Sequence, residues 1–344
     1  MRFISPLLKR VVYPALHRTG WLDRMMLPGG FAVVNYHGVF PAGYPNGERF
    51  LDGDLVQPQV LRKQLQFLKA HYQIVAPEDL RAWIEQREPL PPRALLLTCD
   101  DGLLNTLTDM LPILQEEEVL CLFFVTAASC SDNPGMLWHE ELYHLMRIQP
   151  LRDAALQLPP ENSGGFRASD NFHSLWWSTV RRASQLHAEA RAAWMNRVRH
   201  ERGTAPARFE KRWRLLNLRE LKQLSDAGMS IGAHPRTHPV LSLCGDEEAR
   251  HEIQDCKAEI ESALGHTVWA FAYPFGNPST MGQREFRLAE QAGFSCAFVN
   301  VEYWPGQSSN RYALPRTHVT SDMTLPELTA HLSGFHHRLR SVGR

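Results

Sequence analysis

The chain has 344 residues, 44% of them hydrophobic and 22% charged, with 37 basic side chains balancing 37 acidic ones. This is the composition of a globular protein of one large domain or two ordinary ones, and a net charge of zero argues against a nucleic-acid binder. The six cysteines (99, 121, 130, 244, 256 and 296) include no CxxC pair, which excludes a dense disulfide framework and suits a reducing compartment. No stretch is long and apolar enough to span a bilayer. Pro6, Lys9, Arg10 and Pro14 interrupt what would be the core of a signal peptide, so the expected location is the cytoplasm.

Residues 1–30 read as an amphipathic extension ahead of a domain spanning 31–344. Ile4, Leu7, Leu8, Val11 and Val12 have helical spacing, Arg2, Lys9, Arg10 and Arg18 stand opposite, and Asp23 is the only acid. Such a helix either closes one end of the fold or makes peripheral contact with an anionic membrane surface. Phe31–His37 then reads as a first buried strand, followed by a Pro- and Gly-rich loop to about Asp54. A helix is expected over Gln57–His71, a short strand over Tyr72–Ala76 and a helix over Pro77–Gln86. The apolar run at Leu95–Thr98 is the next strand, with a helix over Asn105–Glu118 and a strand over Cys121–Ala127.

This alternation signals parallel β-strands covered by helices. It stops between 131 and 215, where helix-like segments rich in Trp and Arg surround a loop at Leu158–Asp170. Arg181–Arg214 holds ten Arg or Lys against three Glu, which suits an anionic partner or a solvated face. The region reads as a helical insertion. The alternation resumes with a helix over Asn217–Ala227 and a strand over Met229–Ala233. Next come a helix over Asp246–Leu264, a strand over Val268–Tyr273, a helix over Arg284–Ala292, a strand over Cys296–Val299 and a final helix over Leu325–His337. Seven or so βα units make an irregular barrel the expected architecture.

Chemistry concentrates where strands end, since carboxyl ends of strands form the ligand side of α/β folds. Asp100, Asp101 and Gly102 follow the strand at Leu95, and two adjacent carboxylates repel unless a metal or proton separates their roles. His234 and His238 follow the strand at Met229, spaced so that both imidazoles leave one side of a helical turn and reach one metal. Two imidazoles and a carboxylate leave a coordination position open, as catalytic zinc sites do. His37 also ends a strand and is expected at the same mouth, where Trp138, His139 and Glu140 at the start of the insertion are placed to line it.

From about Val33 to Val319, outside the insertion, the chain resembles the polysaccharide deacetylase family, the NodB-homology domain of carbohydrate esterase family 4. Thr98-Cys-Asp-Asp-Gly102 matches the family's TFDDG, and His234-Pro-Arg-Thr-His238 its H(S/T)xxH. Phe271-Ala-Tyr-Pro-Phe-Gly276 is similar to its third motif and Leu314-Pro-Arg-Thr-His318 to its last. The resemblance implies an α/β fold, a distorted (β/α)7 TIM-like barrel. It also implies Asp100 as general base, Asp101, His234 and His238 as metal ligands, and His318 as general acid. The Phe275 N–H would hold the oxyanion, with Tyr273 and His37 beside the substrate.

Two departures stand out. Ala272 occupies the position of the family's Arg partner to the base, and Arg316 is expected to replace it. The fourth motif, which tunes the acidic histidine, has no match around Phe294–Trp304. The implied cofactor is a divalent metal, Zn2+ by ligand type, with Co2+, Ni2+ or Mn2+ also accommodated. The implied activity is removal of an N-acetyl group from an amino sugar, in a surface polysaccharide or its polyprenyl-phosphate-linked precursor. The alternatives are a deformylase or other amidase on the same site, and a non-catalytic glycan-binding protein.

Overall fold

The computed structural model describes residues 6–25, 31–44, 51–148, 158, 171–203, 210–301 and 310–342. The loop expected at Leu158–Asp170 lies outside these residues except for Leu158, and so does Trp304. β1 (Ala32–Tyr36) and β3 (Ala94–Cys99) are buried at every position, as near-continuous apolar runs in a doubly covered parallel sheet must be. β3 pairs with β1 on one side. On the other it pairs with β2 (Gln73–Ile74) along its first residues and β4 (Leu122–Val125) along its last. β5 (Ser230–Ala233), β6 (Ala270–Ala272) and β7 (Cys296–Phe298) continue from β4, and β8 (Thr317–His318) lies beyond β1.

All these pairings are parallel. The chain just ahead of β8 bonds back to β7, with the Ala297 N–H donating to Arg311 and the Val299 N–H to Leu314, each at 2.9 Å. The sheet therefore curls as the expected distorted barrel does. β8 is two residues long, too short for any apolar run to announce it.

A π-helical turn at Leu8–Val12 leads into α1 (Tyr13–Arg18) and α2 (Trp21–Arg24). The barrel's first helices are α3 (Pro58–His71), α4 (Pro77–Gln86) and α5 (Leu111–Glu116). Between β4 and β5 come α6 (Trp138–Ile148), α7 (Phe172–Ala183), α8 (Ala188–Arg202) and α9 (Glu210–Trp213), then α10 (Leu218–Asp226). The chain ends with α11 (Asp246–Leu264), α12 (Gln283–Gln291), α13 (Leu325–Leu332) and α14 (Phe335–Val342).

Two expected helices are modified. The one at Asn105 opens as a π-helix (Thr106–Met110), and the last divides at Gly334, whose φ is +71°. Tyr13 and Leu22 bury against Ala330 of α13, so the N-terminal helices close one end of the fold.

Strand alternation sorts the core into two sets. Val34, Leu95, Leu97, Phe123 and Val125 pack outward on the helices, whereas Val33, Leu96, Leu122, Phe124, Ala272, Phe298 and Leu314 pack together inside the sheet's curl. The inward rows turn polar towards the carboxyl ends: Leu96 is followed on the same face by Thr98 and Asp100, and Val33 by Asn35 and His37. The period of two that builds the apolar floor also delivers these polar groups to the mouth.

The helices between β4 and β5 have a separate core of Trp138, Leu142, Tyr143, Trp176, Val180, Trp194, Val198 and Trp213. Four of the ten basic residues between Arg181 and Arg214 are held by acids. Arg191 pairs with Glu252, Arg199 with Glu141, Arg212 with Asp52 and Arg214 with Glu220.

Candidate active site

Asp100 and Asp101 are adjacent in sequence but face different partners, because the backbone turns left-handed at Asp101 (φ +75°). Gly102 follows at φ +69°, where a Cβ would lie 2.9 Å from Val125 Cγ1, so the turn requires glycine.

Arg316 reaches Asp100 with both terminal nitrogens, Nη1 to Oδ1 and Nη2 to Oδ2 at 2.7 Å each. Asn35 Nδ2 donates to Asp100 Oδ2 at 3.0 Å, and Arg316 Nη1 also reaches Asn35 Oδ1 at 3.0 Å. The guanidinium sits inside the curl over the rings of Phe124 and Phe298. Ala272 packs on the same inward face, in the cluster that contains Phe124 and Phe298. Burial opposes the charge on Asp100, but the Arg316 guanidinium holds its carboxyl below the ordinary value.

Asp101 Oδ1 lies 3.6 Å from His234 Nε2 and 3.4 Å from His238 Nε2. One ligand atom from each of the three residues falls within 4.8 Å of the others, and all three residues are buried. His234 Nδ1 donates to the Ala272 carbonyl at 2.7 Å, which leaves Nε2 with a lone pair for a metal. Burial and the neighbouring His238 push the His234 pKa down to about 4, so the ring is neutral when a metal would need it. These donors fit a divalent ion.

The two histidines do not share a helical turn. The His238 N–H closes a short turn on Pro235 at 3.3 Å, and His238 itself is left-handed (φ +58°). Glu252 of α11 clamps this turn by accepting from the Thr237 N–H at 2.7 Å, and buried Arg191 of α8 pairs with Glu252 at 3.0 Å. His238 is gripped further by α6: the His139 ring stacks on it at 4.7 Å and Trp138 Nε1 donates to its carbonyl at 3.3 Å. Phe275 adds its ring edge at 5.0 Å. Asp101, His238 and Phe275 are three of the six described non-glycine residues with positive φ, and such backbone strain gathers at functional sites.

His318 lies across the mouth. Its ring is 4.8 Å from that of His37, whose Nε2 is 4.0 Å from Asp100 Oδ2. Asp54 Oδ1 approaches His318 Nε2 at 3.2 Å, supplying the carboxylate that the expected fourth motif lacks. Burial works against a charged His318 ring, but Asp54 outweighs it and raises the pKa above the ordinary 6.5. The turn carrying Asp54 is fixed by Arg212 Nε on Asp52 (2.9 Å) and by the Ser321 N–H on the Gly53 carbonyl (2.7 Å). Since a group raised in this way loses its proton only at higher pH, Asp54→Asn is expected to move the alkaline limb of a pH–rate profile downward. The acidic limb should stay in place, and kcat/KM measured across pH checks this.

The structure thus gathers Asp100, Asp101, His234, His238, Arg316, His318 and His37 around one mouth. Phe275 joins them at φ +60°, held by Gly276, where a Cβ would lie 2.4 Å from the Asn300 amide nitrogen. The Tyr273 side chain is not brought there. Its hydroxyl donates to the Tyr312 carbonyl at 3.1 Å and its ring packs on Phe271 and Phe286 in the outer core. Asn35, Asp54, Glu252 and Arg191 were not singled out from the sequence. Asp54 sat in a loop with no periodicity, and the others act through partners far away in the chain.

A sequence profile described as polysaccharide deacetylase matches residues 200–297, which include His234–His238 and Phe271–Gly276. The resemblance is to the polysaccharide deacetylases. Three solved structures share the fold over nearly their whole length. The Streptococcus pyogenes deacetylase PplD, solved in complex with acetate, superposes with a TM-score of 0.56 at 16% identity, covering 89% of this chain and 99% of that one. IcaB from Ammonifex degensii gives 0.55 at 17%, covering 89% and 97%. A de-N-acetylase from Aggregatibacter actinomycetemcomitans gives 0.55 at 13%, covering 88% and 99%. At these identities the likeness is one of fold. No curated protein sequence matches the chain.

Proposed function

We propose that the chain is a metal-dependent N-deacetylase, a hydrolase of non-peptide carbon–nitrogen bonds. Its substrate is the N-acetyl group of an amino sugar in a surface polysaccharide or its polyprenyl-phosphate-linked precursor. The observation that carries this reading is the split between two neighbouring carboxylates: Asp101 turns one oxygen, Oδ1, towards two imidazoles, while Asp100 is paired with Arg316.

A divalent ion at Asp101, His234 and His238, zinc by ligand type, would supply Lewis acidity, polarising the acyl oxygen and acidifying the attacking water. Asp100, kept charged by Arg316, takes the proton from that water at a carboxylate oxygen. The Phe275 N–H donates to the acyl oxygen as negative charge develops on it. An amine departs only when protonated, and His318, held by Asp54 at Nε2, delivers that proton from Nδ1. Each acid–base partner typically contributes about 10²–10⁴-fold. His37 and the α6 residues Trp138 and Glu140 face the sugar. Glu140 is buried with Oε2 unpartnered among the described residues, and burial pushes its pKa up.

The profile match supports the deacetylase class, and the acetate in the similar PplD structure supports acetyl over formyl. The six unpaired cysteines, five of them buried, suit the cytoplasm, where lipid-linked precursors are accessible. Metal-loaded protein assayed on acetylated and formylated amino-sugar donors tests the proposal. Acetate release that disappears in Asp100→Asn is expected. Preferential formate release would favour the deformylase, and no release by metal-loaded protein would favour the glycan binder.

A further inference from the structure

The two ends of the chain fold against each other. Tyr13 hydrogen-bonds His336 at 2.6 Å and meets the Phe335 ring edge-on at 6.4 Å, and Trp21 meets Phe335 at 5.4 Å. Residues 1–26 and 335–344 together contain eight Arg or Lys and a single Asp, so the remainder of this neutral chain is net acidic. Exposed apolar side chains concentrate in the same place. Leu7 (63% exposed), Val11 (55%), Trp21 (41%) and Leu339 (40%) are four of the six large hydrophobics left exposed among the described residues. Arg10, Arg18, Arg24 and Arg338 are exposed beside them, while Lys9 turns inward to Asp322 and Glu327.

We infer that these joined ends form a docking surface for an anionic lipid bilayer. Apolar side chains ringed by arginine suit an interfacial helix, with leucine, valine and tryptophan entering the acyl boundary and guanidinium groups meeting lipid phosphates. Nucleic acid would match the arginines but would leave the apolar side chains in water. The surface also adjoins the mouth. Lys9 bonds Asp322 at 2.8 Å, the neighbouring Ser321 N–H bonds the Gly53 carbonyl at 2.7 Å, and Asp54 touches His318 at 3.2 Å. A docked bilayer therefore lies beside the rim of the catalytic cleft. A lipid-linked substrate delivered at that rim would rest on the deacetylase reading, but the docking itself does not.

The test is sedimentation of the full chain at low salt, without substrate, using phosphatidylglycerol-containing vesicles and pure phosphatidylcholine vesicles. The chain is expected to bind the anionic vesicles selectively and to release them as salt rises. The triple variant Arg10→Gln, Arg18→Gln, Arg24→Gln should weaken binding on the order of a hundredfold, about fivefold per arginine. Leu7→Ser with Val11→Ser, which keeps the charge, should also weaken it, and both variants should melt at the wild-type temperature because the altered side chains are exposed. Failure of the wild-type chain to bind, or unchanged binding by both variants, overturns the inference. Preference for duplex DNA that persists in the serine variant overturns it in favour of nucleic acid. No turnover is involved, so docking and the deacetylase reading fail separately.

Discussion

Arg316→Ala is expected to lower turnover on an N-acetylated amino sugar by about 10²–10⁴-fold while the protein retains its divalent ion. The guanidinium touches Asp100 and none of the three candidate ligands, so the loss should fall on proton abstraction. Without its partner, the buried Asp100 carboxyl shifts upward, and the acidic limb of the pH–rate profile moves to higher pH. Stability should change as well. The wild-type fold holds Asp100 below its ordinary value of 3.8, so the pair stabilises the fold above that pH and loses its contribution as pH falls through the lowered value. Removing one member of such a buried pair costs roughly 3–5 kcal/mol, readable by denaturant titration at neutral pH. Arg316→Lys should rescue little, because one ammonium cannot make two parallel contacts. Unchanged turnover in Arg316→Ala would remove Arg316 from the mechanism.

His318→Gln should divide two substrate classes. Hydrolysis of the N-acetyl sugar is expected to fall by about 10²–10⁴-fold, because its amine must be protonated to leave. An activated aryl ester, whose phenolate leaves without a proton, should lose far less. In the wild-type chain, activity on the amide should decline as pH rises through the raised His318 value, since only the protonated ring can act as acid. An equal loss on both substrates would assign His318 to binding or packing.

The barrel was legible in the sequence because its strands are buried on both faces and therefore appear as uninterrupted apolar runs, as at Leu95–Leu97. β8 was not legible, since two residues carry no pattern. Asp100, Asp101, His234 and His238 were legible because strand ends concentrate them. The helical turn expected at His234–His238 was wrong. Pro235 and the left-handed His238 set a tighter turn, and side-chain contacts from Glu252 and Arg191 hold it, which local spacing does not report. Asp54 escaped notice for a related reason: its role depends on a turn fixed by Arg212, 158 positions further along the chain. Basic charge along Arg181–Arg214 left an anionic partner and a solvated face both open, and spacing did not report that Arg191, Arg199, Arg212 and Arg214 pair with acids of other elements.

Metal stoichiometry tests the central claim most directly. Protein stripped with chelator, reloaded with zinc and freed of excess should hold one ion per chain in the wild type and in Asp100→Asn. Asp101→Ala and His238→Ala should come out largely empty, with melting profiles showing that they remain folded. A full equivalent of zinc in Asp101→Ala, or its loss in Asp100→Asn, would contradict the division between ligand and base on which the account rests.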